Sequence, residues 1–245
     1  MLRTSLVVAS FFCLSCLPAA RSITEKNAHF TSFCETAVKE PSDLVLDPET
    51  GNLFIVSDNG QLFECDAKGS ILRKAAEEGV DFEGIELKGN TLFVSDESTR
   101  KVYAYDKKDL SVRGNWYIPY NGGRNKGFET IVWNPAKKVF NMVTERDPVS
   151  IWDLDTNFRV IRQHTFTAAK DISGGRFYNG ELYLLSDESM AVYRLDPKTY
   201  ELKEKTNIGV LNPEGLEFDA KGNVIISADD LQRLYFFNGF TNGNQ

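Results

Sequence analysis

Two histidines and four cysteines are all that this 245-residue chain offers as soft metal ligands, and two of those cysteines fall within the first 16 residues. There is no Cys-x-x-Cys and no Cys/His cluster, which argues against a zinc site. No Gly-x-Ser-x-Gly elbow occurs, so the nucleophile arrangement of the α/β-hydrolases has no support. Beyond the N-terminus no apolar stretch is long enough to cross a bilayer. No segment sustains helical periodicity, which points to an almost all-β protein. Positive charge is also scarce. Once Arg3 and Arg21 are set aside with the N-terminal segment, 26 basic side chains face 35 acidic ones, a net of −9. Such a surface repels nucleic acid and anionic lipid, because phosphate binding needs clustered Lys and Arg.

Residues 1–22 differ from the rest. Arg3 gives a basic start, Leu6 to Leu17 is apolar, and Pro18-Ala19-Ala20-Arg21-Ser22 supplies small residues for cleavage. This reads as a secretory signal peptide cut after Ala20 or Ser22. It leaves 23–245 as a single domain, exported to a periplasm, a cell envelope or the medium. Cys34 and Cys65 then remain in a potentially oxidising setting. A disulfide between them and two separate small thiols are both compatible with the spacing.

What the chain has in quantity is repetition. Pro41-Ser42-Asp43-Leu44, Phe82-Glu83-Gly84-Ile85, Phe128-Glu129-Thr130-Ile131, Ile172-Ser173-Gly174-Gly175 and Pro213-Glu214-Gly215-Leu216 hold equivalent places. Steps between the second residues are 41, 46, 44 and 41. A period near 40–45 residues built of short strands is the mark of a β-propeller blade. Each unit reads as four strands joined by turns such as Asp66-Ala67-Lys68-Gly69 and Lys88-Gly89-Asn90. The fifth unit runs out of residues after its third strand. The segment around Ala28 to Val38 has no blade of its own. We therefore expect a five-bladed propeller in which that segment supplies the outer strand of the last blade, leaving no unpaired central edge.

Antiparallel strands put the start of the first strand and the end of the second at the same end of a blade. The five markers therefore share a face with Asp58, Asp96 and Glu97, Glu145, Asp187 and Glu188, and Asp229. That face is expected to be an acidic channel mouth relieved by Arg124, Lys126, Arg146, Lys170 and Arg176. The opposite turns carry Lys68, Lys88, Lys107, Lys108, Lys137, Lys138, Lys198 and Lys221, giving a lysine-studded back. A solvating role for any one Ser-Asp pair is the plain alternative.

Three carboxylates at one repeated position, Glu83, Glu129 and Glu214, repel one another in a narrow channel. A hard cation relieves this. With Ser42 or Ser173 hydroxyls, carbonyls and waters, roughly 6–8 oxygens at 2.3–2.6 Å make a calcium site. The competing reading is that each Glu accepts amides from the next blade and staples the ring.

The runs LVLDPETGNLFIVSD (44–58), NKGFETIVWNPAKKVFNMVTERDP (125–148), DISGGRFYNGELYLLSDES (171–189) and PEGLEFDAKGNVIISADD (213–230) resemble the SdiA-regulated, or YjiK-like, propeller family over essentially the whole mature chain. The resemblance implies an exported or envelope-associated propeller and carries over Glu83, Glu129, Glu145, Ser173, Asp187 and Glu214. Gly175 and Ala228 depart from the pattern. Two functions fit. One is a monomeric binding module taking a small ligand or protein at a calcium-bearing mouth. The other is a calcium-dependent hydrolase of esters, lactones or phosphoesters. No catalytic set is recognisable for the second: His29 falls on the closing segment and His164 on an outer strand. Trp116, Trp133 and Trp152 sit in or beside strands and read as packing residues.

Overall fold

The computed structural model describes residues 23–123 and 126–242, so the segment read as a signal peptide, with Cys13 and Cys16, and Arg124 lie outside the described residues. Five antiparallel sheets follow in chain order. Blade 1 contains β3 (Pro41–Leu46), β4 (Leu53–Ser57), β5 (Gln61–Cys65) and β6 (Ile71–Lys74). Blade 2 contains β7 (Phe82–Lys88), β8 (Thr91–Asp96), β9 (Lys101–Asp106) and β10 (Val112–Tyr117). Blade 3 contains β11 (Phe128–Asn134), β12 (Val139–Thr144), β13 (Ser150–Leu154) and β14 (Val160–Thr165). Blade 4 contains β15 (Gly174–Tyr178), β16 (Glu181–Ser186), β17 (Ala191–Leu195) and β18 (Leu202–Asn207). Blade 5 has only β19 (Pro213–Phe218), β20 (Val224–Ala228) and β21 (Arg233–Phe237) from its own segment.

The fourth strand of blade 5 is β2 (Ser32–Glu35), which pairs antiparallel with β21 through Ser32–Phe236 and Glu35–Arg233. The ring is thus closed as the sequence predicts. One strand was not foreseen. β1 (Thr24–Asn27) runs parallel to β18 and widens blade 4 to five strands. The N-terminal segment therefore bridges the last two blades.

The core is divided. Five apolar clusters each fill one junction between neighbouring blades, for example Val56, Phe82, Ile85 and Val94 between blades 1 and 2. Each fully buried Leu, Ile, Val or Phe contributes about 1.5–3 kcal/mol. The inner strands β3 and β11 are buried almost throughout, whereas the outer strand β14 is exposed nearly end to end. The tryptophans are packing residues as expected: Trp116 lies against Phe158 of the next blade, and Trp152 against Phe128 of its own.

Turns on the back face share one device. Asp66, Asp106, Asp196 and Asp219 each accept the amide two residues on, at 2.8–2.9 Å. Such Asx turns fix the hairpins locally. The two described cysteines are free. Cys34 donates to the Lys68 carbonyl, and Cys65 is buried in the cluster between blades 1 and 5. Burial pushes the Cys65 thiol up to about 12. The structure thus takes the separate-thiol alternative rather than the disulfide. Among the described residues no helix is long and apolar enough to cross a membrane.

Candidate functional site

The markers lie at the start of the inner strands, and the backbone there is irregular for a reason. In β7 the pairing passes from Phe82–Asp96 to Gly84–Ser95, so Glu83 has no partner across the hairpin. Glu129 is skipped in the same way between Phe128 and Thr130, and Glu214 between Pro213 and Gly215. Each marker glutamate is the extra residue of a β-bulge, a device that re-aims a side chain at a sheet end. The serine of the Ser-Asp phrase supports two of the bulges. Ser95 Oγ accepts the Gly84 amide at 2.8 Å, and Ser227 Oγ accepts the Gly215 amide at 2.9 Å.

Gly84 and Gly215 also let the blades close in. A Cβ on Gly84 would lie 2.7 Å from the Thr130 Cα of the next inner strand. A Cβ on Gly215 would lie 2.8 Å from the Asp43 Cα of blade 1. The backbone itself therefore forms the wall of a narrow channel.

Glu83, Glu129 and Glu214 line one cavity of about 170 Å³ at the mouth, together with Asp58, Glu145, Arg146, Ser173, Asp187 and Glu188. Asp171 lines it too and was not foreseen. Its carboxylate accepts the Ser186 hydroxyl at 2.6 Å and the Asp187 amide at 2.9 Å. Asp81 was also missed. One oxygen from each of Asp81, Glu83 and Glu97 lies within 4.8 Å of the others, and so does one from each of Glu97, Glu129 and Glu145. Both residues sit two places before a marker, so the same repeat register carries their signal. Oxygens about 2.4 Å from a shared ion are at most about 4.8 Å apart, and both groups fall within that limit.

Glu97 belongs to both groups. It is 8% exposed, Glu129 is 9% exposed, and their carboxyl groups are within hydrogen-bonding reach of each other. Glu97 also accepts the Gly127 amide at 2.6 Å. Burial first, then Glu97, Glu145 and Glu214, holds the Glu129 carboxyl well above its usual range. Burial and then Glu129 do the same for Glu83. Glu214 is pushed up to about 9, by burial and then by Asp229, Asp187, Asp58 and Asp171. The acids thus fall into two halves, one at blades 2 and 3 and the other around Glu214.

The remaining residues expected at the mouth have other partners. Ser42 donates to Asp58, and Ser173 donates to the Pro213 carbonyl of the next blade at 2.6 Å. Asp96 is only 1% exposed and accepts the amides of Val80 and Thr99, both at 2.9 Å. It caps a loop and does not reach the mouth. Arg146 stays on the rim, 3.0 Å from Glu145 and 3.9 Å from Glu188. Lys126 pairs with Asp147 at 2.7 Å.

Arg176 is the main correction. It does not flank the mouth but lies inside the channel, 5% exposed. Its Nε donates to the Leu216 carbonyl at 3.1 Å. Nη1 donates to the Ile85 carbonyl at 2.9 Å and to Glu86 at 3.3 Å. Nη2 donates to the Leu44 carbonyl at 2.7 Å and to Asp43 at 3.3 Å. Glu217 stands 3.6 Å away. Stapling between blades occurs here, in a second acidic layer. Asp43 accepts the Ile85 amide at 3.0 Å, and Glu217 accepts the Leu46 amide at 3.0 Å. The marker glutamates make no such bonds to amides among the described residues. The deep layer therefore has a cation for its three acids, and Glu83, Glu129 and Glu214 have no basic side chain in contact among the described residues.

The SdiA-regulated family matches residues 22–238. This chain belongs to the SdiA-regulated family. Among solved structures, the SdiA-regulated chain is similar to the glutaminyl cyclase of Myxococcus xanthus, with TM-score 0.71 and 15% identity over 89% of this chain and 98% of that one. It is also similar to the Cps50 (Swd1) β-propeller domain of Myceliophteria thermophila, with TM-score 0.50 and 12% identity over 82% of this chain and 65% of that one. At these identities the likeness speaks for the fold of this SdiA-regulated protein and for nothing finer.

Proposed function

We propose that this protein is an exported binding propeller that holds a divalent cation, calcium, at the channel mouth and captures a small ligand or partner protein there. One observation carries the reading. Glu97 and Glu129 meet as two buried carboxyl groups with no basic side chain between them among the described residues. Such a pair must share a proton or a cation. Glu145 adds an oxygen beside that pair, and Asp81 and Glu83 form a second group with Glu97. An all-oxygen, carboxylate-rich donor set suits a hard ion such as calcium, which accepts irregular coordination more readily than magnesium.

Binding is favoured over hydrolysis by the surroundings. His29 is exposed on the N-terminal segment, and His164 packs its ring against Tyr200 on the outer strand of blade 3. Neither reaches the mouth, so a base there would have to be a carboxylate or a metal-bound hydroxide.

The test is calorimetric titration of chelator-treated protein with calcium and with magnesium, alongside metal analysis. One calcium bound per chain, with magnesium weaker, is the expected result. Absence of any heat or thermal shift with calcium, in protein that is folded by circular dichroism, rejects the proposal.

A further inference from the structure

Behind Arg176 the channel opens again. A chamber of about 740 Å³ lies at the back face, and among the described residues none that lines it also lines the mouth cavity. The Arg176 layer thus divides the channel into two separate compartments. The back compartment has the size and character of a small-molecule site: an apolar wall with a few convergent polar groups. Its wall is formed by Leu46, Leu87, Phe177, Tyr178 and Phe218. Tyr178 and Phe218 stack on each other at 4.5 Å, which presents a fixed aromatic surface.

Charge selects the occupant. Glu86 and Glu217 form the floor beside Arg176, and Asp47, Glu49 and Asp219 stand with Lys107 and Lys221 around the rim. Five acids face three bases, a net of −2. The bases are also largely committed. The Arg176 guanidinium spends its donors on three carbonyls and on Asp43 and Glu86. Lys107 is held between Asp47, at 3.0 Å, and Glu49. An incoming anion would meet carboxylates and a spent guanidinium. An incoming cation would meet the excess of carboxyl groups and an aromatic wall whose rings attract positive charge.

We propose that this chamber is a second ligand site, taking a small organic cation with an aromatic or alicyclic body. Its ammonium faces Glu86 and Glu217 while its body lies along the Tyr178–Phe218 stack. The site is independent of any metal at the mouth.

Three probes of one shape test this: 2-phenylethylammonium, 2-phenylethanol and 3-phenylpropionate. Ligand-observed NMR and calorimetry on the full chain should show the cation binding at least about tenfold more tightly than the alcohol, with no binding of the carboxylate. Raising salt should weaken the cation several-fold. Two variants locate the site. Glu217→Gln should lower affinity for the cation about tenfold. Because Glu217 also joins blades 5 and 1, Ala220→Trp on an exposed turn at the chamber edge serves as the second variant and should abolish binding by filling the entrance. Calcium or chelator should leave the affinity unchanged, which separates this site from the mouth. Equal binding of the three probes, binding of none, or full affinity in Ala220→Trp would overturn the proposal.

Discussion

Arg176 of blade 4 and Asp43 of blade 1 meet at 3.3 Å on the axis of the ring, 133 residues apart in the chain. Burial raises the Asp43 carboxyl to about 7 even though the guanidinium pulls it down. Removing the cation leaves Asp43, Glu86 and Glu217 buried without compensation. Arg176→Met should therefore cost about 3–5 kcal/mol in denaturant unfolding, the scale for breaking a buried ion network. Arg176→Lys should recover little, since an ammonium cannot span three carbonyls and two carboxylates. A loss below about 1 kcal/mol would show that the layer is not a fastener.

Stability should fall as pH rises when metal is absent. Glu214 ionises near 4.5 in an unfolded chain and near 9 in the folded one. Below about 4.5 both forms hold the proton and nothing is lost. From there to about 9 the folded chain keeps a proton that the unfolded chain releases, so unfolding gains with each step in pH. Glu86, raised to about 7, acts in the same direction. Chelator-treated protein should melt higher at pH 5.5 than at pH 8.5. Calcium should raise the melting temperature more at pH 8.5. A flat or rising profile in chelator contradicts the charge crowding.

Glu129→Gln tests the mouth directly. The amide keeps the shape of the carboxyl group and has no proton to release on unfolding, so chelator-treated protein at about pH 7.5 should be more stable than the parent. The same change should weaken calcium binding by more than about 100-fold, beyond the roughly 10–100-fold loss usual for a residue that only supports a ligand. Differential scanning calorimetry with and without calcium reads both effects. Unchanged affinity would move the ion away from Glu129.

Gly215→Ala should be costly although it adds one methyl group. The new Cβ would lie 2.7 Å from Leu44 Cδ2 and 2.8 Å from the Asp43 Cα. Overpacking of this kind costs about 1–3 kcal/mol, and a backbone neighbour has little room to give. The same substitution at Gly180, where nothing lies within 4 Å but φ is +83°, isolates backbone strain alone. Urea unfolding of the two variants, side by side, separates crowding from conformation.

Much of this architecture is legible in the sequence because turn chemistry and period agree. Leu53–Ser57 and Gln61–Cys65 are strands with the bounds their flanking turns suggest. Depth along the channel is not legible in that way. Ser173 and Arg176 are three residues apart, about 10 Å along a strand, and that distance separates the mouth from the interior. Nothing in the pattern of blade 4 distinguishes a rim arginine from a central one. Asp96 and Glu97 show a related limit. Asp96 ends β8 and Glu97 opens the turn after it, and only Glu97 joins the carboxyl groups of Glu83 and Glu129. The bulges that aim the glutamates depend on cross-strand register, which becomes visible only when both strands of a hairpin are placed.

Closure by the N-terminal segment has a consequence in time. The Thr31 hydroxyl bonds to the Phe236 carbonyl across 205 residues of chain. Synthesis makes β2 about 200 residues ahead of β21, so β2 must wait for that partner before it can join a sheet. Such long-range pairing makes for slow folding, and until the circle is complete the third strand of the final blade offers an open edge to any neighbouring chain.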